Sequence, residues 1–126
     1  MEEKILKAIE ATKNSYSPYS GFAVGAALLM KDGSYILGAN VENASYGLSN
    51  CAERSALFSA YSNGYRKNDI TEIIVVSKNR FSPCGACRQV LFEFQTDEYE
   101  IDVITENLGE LEIQKLSFFL PCGFRI

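Results

Sequence analysis

The chain has 126 residues, a net charge of −4 at pH 7 and a hydrophobic fraction of 47%. This length predicts a single domain over residues 1–126, and the composition argues against intrinsic disorder. The acidic balance and the absence of clustered Lys and Arg disfavour a polynucleotide groove, and no apolar run is long enough to span a bilayer. Because the N-terminus also lacks a signal-peptide pattern, we expect a cytoplasmic protein without a membrane or nucleic-acid partner.

Hydrophobic periodicity indicates a mixed sheet with helices on both faces. Ile5, Ala8 and Ile9 recur at helical spacing near the N-terminus, whereas the β-branched run at 70–77 is typical of a strand covered on both sides. In chain order the predicted elements are a helix at 2–13, strands at 22–30 and 35–41 joined by a turn at 31–34, a helix at 51–61, a strand at 70–77, a helix at 83–95, and strands at 100–105 and 110–114.

Three cysteines and one glutamate carry the chemistry that the chain suggests. Cys51 stands two residues before Glu53, Cys84 and Cys87 form a Cys-x-x-Cys pair, and the chain contains no histidine. In a reducing compartment such thiols are more often metal ligands or catalytic groups than disulfides. Three thiolates can hold Zn²⁺ and leave one tetrahedral position open for water. A carboxylate beside them is then placed to move protons for that water.

The cysteine segments fall at the starts of predicted helices. A helix N-terminus presents free N–H groups and a partial positive charge, which favours the thiolate form that binds metal. Three thiolates on one Zn²⁺ leave a net charge of −1, so a nearby cation would help to activate the bound water. Arg54 and Arg88 are the candidates for such an outer role. The ordinary alternative for either arginine is a solvated side chain, and we favour the outer role for Arg54 only.

A closed structural zinc site is the main alternative for the cysteines. Cys122 is the remaining cysteine and would be its fourth ligand. Structural ligands, however, usually come in two close pairs, and Glu53 would have no task in a closed site. We therefore expect an open catalytic site, with Cys122 as a plain buried thiol.

Several separated motifs resemble the small zinc-dependent cytidine deaminases. The first pairs Cys51-Ala52-Glu53 with the Pro-Cys-Gly-Ala-Cys-Arg-Gln segment at 83–89, where cysteine stands in the position that related nucleobase deaminases give to histidine. The segments at 20–27, 38–47 and 120–124 resemble the first strand, the nucleoside-binding segment and the C-terminal segment of that family. Such a set is far more specific than a lone Cys-x-x-Cys.

The resemblance implies a three-layer α/β/α sandwich around a mixed five-stranded sheet, with one Zn²⁺ per chain. It implies hydrolytic deamination of cytidine and 2′-deoxycytidine to uridine and 2′-deoxyuridine, with release of ammonia, in pyrimidine nucleoside salvage. It also implies a homotetramer with active sites shared across interfaces. The implied roles are zinc binding by Cys51, Cys84 and Cys87, proton transfer by Glu53, ribose binding by Asn40 and Glu42, a pyrimidine pocket at Phe22, a ring-carbonyl contact from the Ala52 N–H, and completion of a neighbouring pocket by Tyr46 and Phe124.

Each substrate-binding residue also has a simpler explanation when it is taken singly. Phe22 in an apolar strand is ordinarily core, Asn40 suits a turn, Phe124 could pack on its own chain, and Tyr46 could be a solvated loop aromatic. Three rival functions stay open. They are a deaminase of modified cytosine nucleosides, a nucleic-acid editor, which needs a basic channel with stacking groups, and a structural-zinc interaction module.

Overall fold

The structure is a computed structural model that describes residues 2–77, 82–95, 101–107 and 109–126. The helices and strands appear in the predicted order, with one short helix added near the C-terminus. Their bounds are α1 Glu3–Thr12, β1 Val24–Met30, β2 Tyr35–Ala39, α2 Ala52–Ser62, β3 Ile70–Ser77, α3 Gly85–Phe94, β4 Asp102–Asn107, β5 Glu110–Lys115 and α4 Leu116–Phe119.

The strands form one mixed sheet in the order β2-β1-β3-β4-β5. β1 pairs antiparallel with β2 and β3, β3 pairs parallel with β4, and β4 pairs antiparallel with β5. The parallel pair needs a crossover connection, and α3 lies in it. β3 is therefore central and buried between both helix layers, which explains its continuous apolar sequence.

Helices cover the two faces of the sheet, which confirms the predicted α/β/α layering. On one face α1 packs Ile5 and Ala8 against Ala27, Ile74 and Ile104 of the sheet. On the other face α2 and α3 close a larger cluster, whose members include Ala56, Leu57, Leu91, Leu28, Ile73 and Val103. Among the described residues, none of the helices combines the length and the apolar character that a membrane span requires.

Several predicted boundaries were wrong by a few residues. β1 begins at Val24 and β2 ends at Ala39, because the Asn40 side chain accepts the Val24 N–H and interrupts the pairing. α3 begins at Gly85 rather than at Pro83, since Cys84 is its N-cap. Residue 100 of the predicted strand at 100–105 lies outside the described residues. The four-residue helix α4 was missed because it is too short to show a period.

A close approach between β2 and α2 sets the position of the N-terminal end of α2. A Cβ atom on Gly38 would lie 2.4 Å from the Ala56 nitrogen and 2.5 Å from the Ala52 oxygen, both backbone atoms. Only glycine therefore lets the helix backbone lie this close to the strand. The contact places the first turn of α2, which Cys51 caps, against the end of β2.

Candidate metal centre and nucleoside pocket

Two helix starts bring three thiols together. Cys51 is the N-cap of α2, Cys84 is the N-cap of α3, and Cys87 lies in the first turn of α3. The three sulfur atoms lie within 4.8 Å of one another, with 3.4 Å between Cys84 and Cys87 and 3.8 Å between Cys51 and Cys84. This juxtaposition confirms the predicted placement of the cysteines at helix starts.

Hydrogen bonds link the thiols to one another and to Arg54. The pKa of the Cys51 thiol is lowered to about 5, first by a hydrogen bond from the Cys87 thiol and further by the Arg54 guanidinium, whose Nη2 lies 3.3 Å from the Cys51 sulfur. The pKa of Cys87 is raised in turn, because its thiol donates that bond and is buried. Cys84 accepts the Cys87 backbone N–H at 3.5 Å. Of Cys51 and Cys87, Cys51 is therefore the thiol that ionises at the lower pH.

The buried carboxylate of Glu53 stands beside this cluster. Glu53 is only 1% exposed, and neither of its oxygens has a hydrogen-bond partner among the described residues. A buried polar group without a partner is costly, so such an orphan marks a place built for another group. Burial is the largest cause that raises the pKa of Glu53 to about 7, and the negative charge of Cys51 adds to it. The carboxyl can therefore hold or release a proton near neutral pH.

The donor set fits Zn²⁺. Three cysteine sulfurs within a few ångströms supply the soft ligands that zinc prefers, and three protein ligands leave the fourth tetrahedral position for water, as in catalytic sites. Glu53 supplies a group that a closed structural site would not need. Arg54 contributes the nearby positive charge that the net charge of three thiolates and one Zn²⁺ calls for.

Cys122 does not join the cluster. It is exposed, so the expectation of a buried thiol was wrong. The group of thiols close enough to share a metal, within the part of the chain that the structure describes, consists of Cys51, Cys84 and Cys87. The chain therefore does not close a four-cysteine site upon itself.

Arg88 is neither solvated nor directed at the thiols. Its Nε donates to the Pro83 carbonyl at 2.7 Å, and its Nη1 donates to the Phe119 carbonyl at 3.0 Å. The guanidinium also lies over the Phe119 ring, 5.1 Å from its centroid. Arg88 thus ties the backbone just before Cys84 to the C-terminal end of α4.

Asn40 holds the loop that carries Phe22. Its Oδ1 accepts from the Ser15 hydroxyl at 2.5 Å and from the Val24 N–H at 2.9 Å, and its Nδ2 donates to the Phe22 carbonyl at 2.7 Å. The Asn40 side chain therefore stabilises the backbone at the end of β2, in line with the structural role that its position in a turn suggests. Within the described residues Nδ2 makes this one bond, which leaves its other amide hydrogen for a hydroxyl acceptor.

Glu42 is held as an anion at the edge of a cavity. Its Oε1 accepts the N–H groups of Tyr19 and Ser20 at 3.0 and 3.1 Å, and its Oε2 accepts the Ser20 hydroxyl. These bonds lower the pKa of the carboxyl, with the Ser20 hydroxyl as the largest cause. The cavity has a volume of about 340 Å³ and is lined by Tyr19, Ser20, Glu42, Tyr46 and Ser49. It is wide enough for a small polar ligand.

The chain segment with Asn40 and Glu42 runs beside the residue that precedes the first thiol. Val41 and Asn50 form an antiparallel bridge, with reciprocal N–H to carbonyl distances of 3.0 and 2.9 Å. Bridged backbones lie about 5 Å apart, and Asn50 is followed directly by Cys51. The tertiary structure thus brings the cavity edge and the thiol cluster into one neighbourhood.

The other predicted pocket residues are less closely grouped. Ala52 is fully buried as the first residue of α2, where a backbone N–H has no acceptor within the helix. Phe22 is half-buried against the core cluster of α2 and α3. Tyr46 is 76% exposed and packs edge-on against Tyr19, with 6.1 Å between ring centroids. Phe124 is 69% exposed, and its backbone is bonded to Gln89.

Sequence reasoning missed the polar loop residues around Glu42 and the role of Gln89. Tyr19, Ser20 and Ser49 line the cavity, but they lie in loops, where no periodicity distinguishes a lining side chain from a solvated one. Gln89 belongs to the segment at 83–89, but the sequence suggests no role for it, because its partner Phe124 is 35 residues away. No local signal in the sequence reports such a contact.

Comparisons with known proteins agree with this site. The family model described as "Cytidine and deoxycytidylate deaminase zinc-binding region" matches residues 1–102. A cytidine deaminase of Halalkalibacterium halodurans is 54% identical over 123 residues, which are 95% of this chain and 90% of that protein. A cytidine deaminase of Sporosarcina psychrophila is 40% identical over 98% of this chain and 90% of its own length. The crystal structure of cytidine deaminase from Burkholderia pseudomallei superposes with a TM-score of 0.89 at 43% identity, covering 98% of this chain and 100% of that one.

Proposed function

The chain belongs to the cytidine and deoxycytidylate deaminase family, and we propose that it hydrolyses cytidine and 2′-deoxycytidine to uridine and 2′-deoxyuridine with release of ammonia. The observation that carries this proposal is the buried Glu53 carboxylate, which has no hydrogen-bond partner among the described residues and lies beside three clustered thiols. That pairing of a zinc donor set with a titratable carboxyl is what hydrolytic deamination of a cytosine ring requires.

Glu53 performs the proton transfers in the proposed reaction. Cys51, Cys84 and Cys87 would hold the Zn²⁺, and the metal would supply a water of lowered pKa as the nucleophile. Glu53 takes the first proton from this water while the water oxygen attacks C4 of the ring. Glu53 then gives that proton to N3. It then carries the second proton of the water to the exocyclic amine. The C4–N4 bond breaks, ammonia leaves, and the C4 carbonyl of uridine forms.

The pKa of Glu53 suits both directions of transfer. A carboxyl that must act first as base and then as acid works best when its pKa is near the working pH. Burial raises the pKa of Glu53 to about 7. An exposed carboxylate, whose pKa is about 4.3, would be a weaker base for the water and would rarely hold a proton for the leaving amine.

The substrate is proposed to lie with its sugar toward the end of β2. Glu42 is an anion with acceptor capacity, and Asn40 keeps one amide hydrogen, so together they offer an acceptor and a donor for ribose hydroxyls. Phe22 is proposed to contact the pyrimidine, and the Ala52 N–H its ring carbonyl. A ribose-bearing substrate is therefore favoured over free cytosine.

We further propose that residues 1–126 act as one catalytic domain in a cytoplasmic homotetramer, in pyrimidine nucleoside salvage. Self-association is supported by large side chains that the single chain leaves exposed close to the cavity and at the C-terminus: Tyr46, Leu48, Phe118 and Phe124. In the proposed assembly Tyr46 and Phe124 complete a pocket of a neighbouring subunit. Loss of specific activity on dilution would accompany dissociation.

The test follows the ultraviolet absorbance of cytidine when the purified protein is added, before and after treatment with a strong zinc chelator. We expect cytidine and 2′-deoxycytidine to be consumed, free cytosine to be spared, the chelator to abolish the reaction, and added Zn²⁺ to restore it. No reaction with either nucleoside by protein that contains one zinc per chain would overturn the proposal. That outcome would favour a modified nucleoside or a structural role for the metal.

A further inference from the structure

The C-terminal residues 123–125 lie along α3, and one side chain holds the backbone of the middle residue. Gln89 Nε2 donates to the Phe124 carbonyl at 2.8 Å, and the Phe124 N–H donates to Gln89 Oε1 at 3.1 Å. The amide thus pairs with both backbone groups of one residue, as a neighbouring strand would do. A glutamine held by two reciprocal bonds has little rotational freedom left, so the backbone of Phe124 is held in one orientation.

The residues on either side of Phe124 are held by the same helix. A Cβ atom on Gly123 would lie 2.5 Å from the Phe92 ring, so glycine is needed for the segment to lie this close to α3. The Arg125 guanidinium lies 4.2 Å from the centroid of the Phe92 ring, and its Nη2 donates to the Gln95 carbonyl at 3.0 Å. Three consecutive residues are therefore fastened to α3.

The ring of Phe124 is exposed to solvent, whereas its backbone is hydrogen-bonded to Gln89. Phe124 is 69% exposed although it is a large apolar residue. A phenylalanine whose own chain fixes the backbone and leaves the ring in solvent is prepared for a contact outside that chain. Because the backbone is already ordered, such a contact loses less conformational entropy when it forms.

Gln89 also connects this segment to the thiol cluster. It follows Cys87 by two residues in α3, and Arg88 between them holds the Phe119 carbonyl. The start of α3 therefore carries two of the three thiols. It also binds the chain on both sides of residues 120–123, at Phe119 through Arg88 and at Phe124 through Gln89. The position of Phe124 is thereby set relative to the helix that bears the metal site.

We infer that Gln89 is a positioning residue that holds Phe124 so that its ring reaches the nucleoside pocket of a second copy of the chain. The inference rests on the pocket role proposed above for Phe124. Gln89 touches no reacting atom and acts only through the backbone of Phe124. Since an aromatic contact to the base is made in both the ground state and the transition state, its loss raises KM more than it lowers kcat.

The experiment compares Gln89→Met, Phe124→Ala and Glu93→Gln in the zinc-loaded full-length protein. Gln89→Met keeps the size of the side chain and removes both hydrogen bonds, whereas Glu93 is an exposed residue of the same helix and serves as the control. We expect Gln89→Met and Phe124→Ala to raise KM for cytidine about 10-fold, which corresponds to about 1.4 kcal/mol, with kcat nearly unchanged. Glu93→Gln should leave both constants unaltered.

A second readout reports the segment itself. The chain contains no tryptophan, so Phe124→Trp introduces a single tryptophan, which can be excited selectively at wavelengths that its tyrosines do not absorb. We expect the double variant Phe124→Trp with Gln89→Met to show lower fluorescence anisotropy and stronger acrylamide quenching than Phe124→Trp alone. Gln89→Glu keeps an acceptor for the Phe124 N–H and loses the donor, so its anisotropy should be intermediate. Zinc content near one per chain in each variant verifies that the fold is retained.

The outcomes separate the two proposals. A raised KM in Phe124→Ala with unchanged KM and anisotropy in the Gln89 variants would overturn the positioning role and leave the proposed function standing. An unchanged KM in Phe124→Ala would overturn the pocket role of Phe124, and with it the reason for holding the ring. An equal effect of Glu93→Gln would show that any change in α3 has the same consequence, which would also overturn the inference.

Discussion

The Nη2 atom of Arg54 lies 3.3 Å from the sulfur of Cys51, one helical turn apart at the start of α2. The arginine is therefore a direct partner of the Cys51 thiol and helps to lower its pKa, and the Cys51 thiolate raises the pKa of the guanidinium in return. The pair offsets part of the negative charge that three thiolates bring to one divalent ion.

Replacing Arg54 should therefore weaken the metal site. We expect Arg54→Gln to lower zinc affinity about 10- to 100-fold, the usual effect of removing a partner of a metal ligand. Competition with a chromophoric chelator measures the affinity. Arg66→Gln is the matched control, because the Arg66 guanidinium donates to the Tyr65 carbonyl instead of a thiol. Equal zinc affinity in the two variants would remove Arg54 from the outer shell of the site.

Glu53→Gln should abolish most activity while it preserves zinc and the fold. The amide has nearly the same shape but cannot accept the proton of the attacking water, so kcat should fall about 10²- to 10⁴-fold. Stability should not fall, because the substitution removes a charge that is buried and unpartnered. The control is Glu112→Gln on the exposed side of β5. A Glu53→Gln enzyme with more than about a tenth of the parent kcat would contradict the proton-transfer role.

Two cysteine substitutions should have opposite consequences for the metal. Cys84→Ser removes a sulfur from the thiol cluster, so zinc content should drop well below one per chain and the thermal midpoint should fall by linkage. Cys122 is exposed and outside the cluster, so Cys122→Ser should keep its zinc and activity. Plasma emission spectrometry on both variants checks this. Zinc loss in Cys122→Ser would instead favour a closed four-cysteine site.

Gly38→Ala should disturb the packing of α2 against β2. The new methyl group would lie 2.4 Å from a backbone nitrogen and 2.5 Å from a backbone oxygen, so the helix has to move. Overpacking of this kind costs about 1–3 kcal/mol of unfolding free energy, and movement of α2 should also displace Cys51. Urea unfolding measures the loss. Gly47→Ala has open space around its Cβ and should change stability by less than about 0.5 kcal/mol.

The ion pair between α1 and β3 should add a small pH-dependent stability. Lys4 Nζ lies 3.0 Å from Glu72 Oε1, and this hydrogen bond raises the pKa of Lys4 above 10.5. A raised lysine pKa means that the stabilisation is complete below pH 10.5 and is lost as the pH rises through the folded-state value. We expect Lys4→Met to cost less than about 1 kcal/mol at pH 8, with the difference shrinking as the pH rises beyond 10.5.

The control for the ion pair is Lys7→Met, since Lys7 forms only a longer contact of 3.9 Å with Glu10 on the same helix. The effect of Lys7→Met on the unfolding free energy at pH 8 should be smaller than that of Lys4→Met. Urea titrations of both variants at each pH give the comparison. A Lys4→Met difference that grew with pH would contradict the sign worked out from the pKa of Lys4.

The sequence by itself determined the chemistry of the metal centre. Cys51, Glu53, Cys84 and Cys87 were identifiable because residue type and short spacing are local properties. The start of a helix, with its free N–H groups, is likewise encoded within a few residues. The order of helices and strands and the layering were predictable for the same reason, since hydrophobic periodicity reports which face of each element is buried.

Only the tertiary structure decided which distant residues meet. Asn40 donates to the Phe22 carbonyl, and Arg88 donates to the Phe119 carbonyl. Gln89 bonds the backbone of Phe124, which is 35 residues away. Cys122 was placed wrongly because its exposure depends on how the C-terminal segment lies against α3, which no local period records. Periodicity and spacing describe a residue relative to its own element. The partner of a polar side chain depends instead on how two elements pack, and that geometry exists only once the sheet and its helices have assembled.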